Sequence, residues 1–284
     1  MIAVFDRQQV KRQRLRCAPH FADHGFLFDW TIKQLEDRMD VVRRNFETCL
    51  QLGSRGRKFQ SKQSEHVVTA DVAHADIICD EEFLPFKDKS LDLIVSPLSL
   101  HTVNDLPGAL IQINRALKPD GLFMGAMLGG ETLYELRSCL AEAELELSGG
   151  VTPRIAPFAD KPQAGALLQR AGFALPVIDS EIITVTYQSI FPLMHDLRFM
   201  GESNAIAERS KRFTRRSLFL RAGEIYTQKF SEADGRIRAS FEIIFLLGWA
   251  AHDSQQQPLK RGSATARLAD ILGTQEIGTG EKPH

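Results

Sequence analysis

A chain of 284 residues, 43% hydrophobic and 25% charged, has the material for one large globular domain with additions. A formal net charge of −1 excludes a global electrostatic claim on nucleic acid. No apolar run approaches the roughly 18 residues of a membrane helix.

Residues 1–46 read as helical, with Trp30, Ile32, Leu35, Met39 and Val42 at roughly helical spacing. Charges follow the apolar residues at the N-terminus, the wrong order for a secretory signal. Its five basic residues, Arg7, Lys11, Arg12, Arg14 and Arg16, are expected on an exposed helix. Phe46–Gly53 reads as a first strand running into a glycine turn, where backbone approach to a ligand is possible. Taken alone, Gly53 and Gly56 suit a structural turn at least as well. His66–Asp71 is a second strand ending in a carboxylate, 18 positions after Gly53, a spacing that suits a ribose diol or a helix cap. Ile77–Cys79 makes a third strand before the acidic Asp80-Glu81-Glu82.

Leu91–Ser96 and Leu122–Met127 are apolar runs separated by about one helix, the look of buried parallel strands. A right-handed crossover between them brings their carboxyl ends to one sheet edge, where α/β proteins bind ligands. Asp105 and Pro107 open the intervening helix, and Lys118–Gly121 form the turn that ends it. After Gly129-Gly130 comes a helix with Leu133, Leu136, Leu140, Ala143 and Leu147 on one face; Glu131, Glu135, Arg137, Glu142 and Glu144 are expected on its solvated face. A loop over 151–160 and a helix over Gln163–Ala171 precede two β-rich runs, Leu175–Ile178 and Ile182–Tyr187. Helices over Phe191–Met200 and Ser217–Lys229 follow, then a strand over Phe241–Trp249. The basic stretch Arg209–Arg216 is a solvated helix boundary rather than a nucleic-acid patch. The expected division is a helical extension (1–45), a core (46–188), a helical addition with one core strand (189–272) and a disordered tail (273–284). Four separated cysteines without CxxC or metal spacing, Cys49 and Cys79 among them in strand-like runs, suit reduced buried thiols in a cytoplasm. His74 and Asp76 form an HxD, a pattern common by chance, and no metal site is expected.

The series Asp80, Leu84-Pro85-Phe86, Leu91–His101 and Lys118–Gly121 resembles class I S-adenosylmethionine-dependent methyltransferases, within them the type 11 group that includes the malonyl-carrier-protein methyltransferase of biotin synthesis. Gly125–Arg137, Met200–Asn204 and Arg261–Thr265 are similar to methyltransferase-like assembly factors of respiratory complex I. The resemblance implies a Rossmann-like α/β fold, a mostly parallel seven-stranded sheet with helices on both faces. It implies S-adenosylmethionine as cofactor, with Gly53 against the methionine part, Asp71 on the ribose, Asp80 on the adenine amino group, and Ser96 and Leu98 beside the sulfonium. His101 falls at the mouth of the substrate side and is the candidate catalytic residue. A protein substrate, a complex I subunit, is implied as partner, and no nucleic acid. The family's first motif, Asp-Leu-Gly-Cys-Gly-x-Gly, here reads Gln51–Arg57, with Gln51 for the acid and Arg55 and Arg57 at two glycine positions. Losing a charge-assisted hydrogen bond costs about 1.5–3 kcal/mol, so cofactor binding is expected to be weakened. Methyl transfer, arginine hydroxylation on the same fold and a non-catalytic assembly role are the competing functions.

Overall fold

A computed structural model describes residues 3–55, 57–256, 263 and 266–275. Gly56, the Arg261–Thr265 stretch apart from Ser263, and most of the expected disordered tail lie outside the described residues. The chain divides into a unit over 1–251 and one over 252–284. In the second, the short helix Leu268–Leu272 ends at Gly273 in the left-handed region, φ +63°.

The first unit is built on a seven-stranded sheet in the order β3-β2-β1-β4-β5-β7-β6. Its strands are β1 (Phe46–Leu52), β2 (Ser64–Asp71), β3 (Ile77–Ile78), β4 (Leu91–Pro97), β5 (Leu117–Leu128), β6 (Phe173–Tyr187) and β7 (Ile237–Ala250). The first five pair in parallel, and β7 is antiparallel to both β5 and β6. This is the Rossmann-like architecture of methyltransferases. The order reverses between β1 and β4, so the carboxyl ends of these strands flank a crevice.

Both faces of the central strands are buried. Along β4, Leu93 and Val95 pack into one apolar cluster and Ile94 into the other. The first cluster is covered by α3 (Phe26–Met39), α5 (Tyr134–Ser148), α7 (Ile190–Phe199) and α8 (Arg216–Phe230); the second by α4 (Leu106–Ala116) and α6 (Lys161–Arg170). In α4 the Asp105 side chain accepts from the Gly108 amide, as its N-cap position requires. Leu110 and Ile113 on its inner face are 1% and 0% exposed. Burial of such side chains stabilises by about 1.5–3 kcal/mol each.

Four details differ from the sequence expectations. Leu175–Ile178 and Ile182–Tyr187 are one strand, because Asp179–Glu181 stay paired to β7 along an edge that leaves alternate side chains in water. The Lys118–Gly121 turn lies within β5 as a bulge opposite Asp92, with Asp120 at φ +62°. Glu135 and Glu144 are buried, not solvated. Glu135 accepts from the Ser240 hydroxyl at 2.6 Å, and Glu144 accepts from Arg154 Nη2 at 2.7 Å. The N-terminal helix α1 (Arg7–Cys17) is not free-standing: Arg14 is 4% exposed and points into the sheet edge.

Candidate active site

The carboxyl ends of β1, β2 and β4 are where the sequence places a ligand, and α1 lies across them. Arg7 and Arg14 are seven positions apart, two turns, so they share one helix face. Arg14 Nη1 donates to Asp71 Oδ1 at 2.9 Å and to Glu81 Oε1 at 2.8 Å. Arg7 holds Asp80 with Nη2 at 2.6 Å and Nε at 3.2 Å, and also pairs with Glu81. Ser99 donates its hydroxyl to Glu81. Burial would raise the Glu81 carboxyl, but Arg14 and Arg7 outweigh it and hold the group down to about 2.

Around this cluster the cofactor residues implied by the resemblance separate. Asp71 borders a cavity of about 260 Å³, also lined by Arg14, Cys17, Phe21, Arg55 and His74. Its Oδ2 is buried without a hydrogen-bond partner, an arrangement that fits a ribose hydroxyl. Gly53, at φ +77°, faces Ser99 instead: a Cβ there would lie 2.4 Å from the Ser99 Cβ. Asp80 is occupied by Arg7, Ser96 is wholly buried with an unpartnered hydroxyl, and none of Gly53, Asp80, Ser96 and Leu98 borders that cavity.

The altered loop accounts for its own substitutions. Gln51 donates to the Arg57 carbonyl at 2.8 Å and accepts from the Phe59 amide at 2.7 Å, two bonds that only an amide side chain makes together. Arg57 turns outward to Asp29 on α3, at 3.0 Å. Arg55 turns inward. Its guanidinium donates to the carbonyls of Leu98 at 2.9 Å and Met200 at 3.0 Å, and lies 2.6 Å from Glu202 Oε1 without hydrogen-bond alignment. A cationic sulfonium and its methionine would meet both this charge and Ser99. The residues fit the ribose end of S-adenosylmethionine and not, as arranged, its methionine end.

Beyond Arg55 lies a larger chamber of about 410 Å³. Its wall is largely apolar, with Leu128, Leu136, Phe158 and Phe241, and Arg16, Arg154 and Arg198 also border it. His101 and Glu202 separate it from Arg55. His101 Nε2 lies 3.0 Å from Glu202 Oε2, while His101 Nδ1 is buried without a partner. Burial would raise the Glu202 carboxyl; the Arg55 charge and the hydrogen bond from His101 outweigh it and lower the group strongly. Asp76, the carboxylate of the HxD, is taken by the Thr69 amide at 3.0 Å, the Thr69 hydroxyl at 2.8 Å and Lys58 at 3.1 Å.

A methyltransferase-domain family matches residues 47–125. The mouse protein named arginine-hydroxylase NDUFAF5, mitochondrial, is 40% identical over 98% of this chain and 87% of its own length. The chain belongs to the arginine-hydroxylase NDUFAF5 family. A malonyl-[acyl-carrier protein] O-methyltransferase of Halorhodospira halophila is 30% identical over 89% of the chain and 90% of its own length. Among solved structures, the YcgJ protein of Bacillus subtilis superposes with TM-score 0.51 at 14% identity, over 79% of this chain and all but 1% of that one, where 99% is covered; this likeness is one of fold. The fold and the relatives are those of enzymes. The expected cytoplasmic placement is overturned by the NDUFAF5 proteins of mouse, rat, zebrafish and human, all named as mitochondrial. Reduced thiols separate reducing compartments from oxidising ones and cannot separate one reducing compartment from another.

Four residues of this site have no assignment from the sequence: Arg7, Arg14, Glu81 and Glu202. The seven-residue spacing of the two arginines was the available signal for the first pair. Glu81 was visible only as the middle of an acidic triplet. Glu202 stood in Met200–Asn204 with nothing local to set it apart.

Proposed function

We propose that this chain modifies an arginine side chain of a protein partner in respiratory complex I assembly, by hydroxylation, in the chamber beside His101: one atom of dioxygen enters a C–H bond of the arginine, and the other leaves as water with two electrons and two protons from an external two-electron reductant. One observation carries the reading: Arg55, Glu202 and His101 wall off the sulfonium side and leave a chamber open on the other. The name of the relatives supplies the reaction. Glu202 accepts from His101 Nε2, and in the tautomer that donates from Nε2 the unpartnered Nδ1 is an acceptor at the chamber wall. A guanidinium offers only donors, so the two match. The apolar wall suits the aliphatic stem of the same side chain.

Methyl transfer is the second reading, and the free Oδ2 of Asp71 on its own cavity favours it. Bound there, S-adenosylmethionine would supply an electrophilic methyl group. Asp71 would accept from the ribose, and Arg55 would have to leave Leu98 and Met200.

Mass spectrometry of a candidate complex I subunit, expressed with and without the chain, separates the two. A gain of one oxygen on arginine is expected, and it should fall about 100-fold or more with His101→Gln. A gain of a methyl group instead replaces the first reading by the second. No gain of either, together with no calorimetric binding of S-adenosylmethionine at millimolar concentration, leaves a non-catalytic assembly role.

A further inference from the structure

The HxD that drew notice in the sequence is spoken for, yet another pair of histidines and a carboxylate converge far from it in the chain. His24 closes the short helix α2 (Phe21–His24), and His195 and Asp196 are adjacent on α7. One nitrogen of each imidazole and one Asp196 oxygen all lie within 4.8 Å of one another. His24 Nδ1 is already 2.8 Å from Asp196 Oδ1. The two rings are 5.1 Å apart between centroids, and both lean on Phe199, at 5.0 and 4.5 Å. That aromatic floor fixes their planes.

Among the described residues this is the one group of three such side chains that close together. We propose that His24, His195 and Asp196 bind one divalent transition-metal ion of the iron-to-zinc series. The donor set is two imidazoles and one carboxylate, which suits these ions and leaves coordination positions open. Ligands about 2.0–2.2 Å from one ion stand roughly 3–4 Å apart, so a small rotation of the exposed His195 ring closes the set.

A second observation points the same way. Asp196 lies on the wall of a cavity of about 390 Å³ together with Tyr187, Trp30 and Arg236. The Tyr187 residue is 6% exposed and its hydroxyl has no hydrogen-bond partner. That unspent O–H lies on the same cavity wall as the Asp196 carboxylate and can donate to it. A ligating carboxylate is usually held by such a donor behind it. The site stands on these contacts alone and does not depend on which reaction the His101 chamber performs.

The test uses the full, untagged chain at neutral pH, titrated with Co²⁺ followed by visible absorption and with Zn²⁺ by calorimetry. One saturable equivalent per chain is expected, with the absorption of a nitrogen- and oxygen-ligated Co²⁺ ion, and a thermal midpoint that rises with metal. His195→Ala removes an exposed ring and should fold as the parent does, yet weaken binding at least tenfold. His20→Ala, which removes a ring stacked edge-on to Phe199 outside the ligand set, should leave binding within twofold. Absence of saturable binding, or equal binding by His195→Ala and the parent, overturns the site.

Discussion

The two halves of the crevice are made from the same kinds of side chain and end in opposite states. On the β2 side, Asp71, Asp80 and Glu81 are neutralised by Arg7 and Arg14, carried in by a helix from the start of the chain. On the β5 side, Glu202 is neutralised by Arg55 and hydrogen-bonded to His101, and about 410 Å³ stays open next to it. The difference lies in where the cation comes from. Arg14 is delivered from above and narrows the space over its carboxylates to about 260 Å³. Arg55 reaches through the sheet edge from its own loop and leaves the far side of Glu202 free. A buried charge must have its partner, so the source of the partner decides how much of each half stays open.

The largest effect should come from removing Arg14. Arg14→Ala leaves Asp71 and Glu81 buried with one fewer cation between them, and breaking a buried pair of this kind costs about 3–5 kcal/mol. Urea unfolding measures it. An equal loss in the charge-free triple variant Arg14→Met, Asp71→Asn, Glu81→Gln would mean that packing by α1, not charge, holds the helix there.

Acid sharpens the same side. The Glu81 carboxyl is held down to about 2 against an ordinary 4.5, so the unfolded chain takes up its proton first as pH falls. Its contribution is whole above pH 4.5 and disappears as pH drops toward 2, on the order of 3 kcal/mol over that window. The stability–pH curve of Glu81→Gln should lack this fall. Superimposable curves would dismiss the assignment.

These two predictions concern contacts that no local pattern announces. The strands were legible because each is an apolar run bounded by turn residues, and α4 was legible from Asp105, Pro107 and its stripe. Asp71 was legible as a carboxylate at a strand end. Its partner was not, since Arg14 sits 57 positions earlier in a helix whose composition reads as solvated. Glu135 and Glu144 are buried for the same reason. A charge is buried or exposed according to its partner, and Ser240 lies 105 residues from Glu135. The break expected in β6 fell on Asp179–Glu181, where an edge strand tolerates polar residues that a central strand would not.

On the open side the expected effects are smaller in stability and larger in function. Glu202→Gln leaves Arg55 without its carboxylate and costs about 1.5–3 kcal/mol. It also frees the His101 ring to turn, because the new amide can donate as well as accept. Modification of the partner should therefore drop further than the stability loss explains. His101→Gln in the same chain should add little, as the two act as one unit. Additive losses would show that they act separately.

The smallest effect on stability belongs to the mouth of the chamber. Arg16 and Arg198 both border it, both are exposed, and neither has a carboxylate ion pair among the described residues. Burial and then the Arg198 charge lower the Arg16 group, a sign that the two cations oppose each other. Arg198→Ala relieves that repulsion and removes no partner, so stability should change by less than about 0.5 kcal/mol. The same pair is an electrostatic barrier to an arginine arriving alone, and an attraction for one flanked by acidic residues. Capture of a substrate with acidic flanks should therefore slow with added salt, and Arg198→Ala should flatten that dependence. If peptides with and without acidic flanks are modified at equal rates, the rim plays no part in choosing the substrate, and the contrast between the two halves reduces to volume alone.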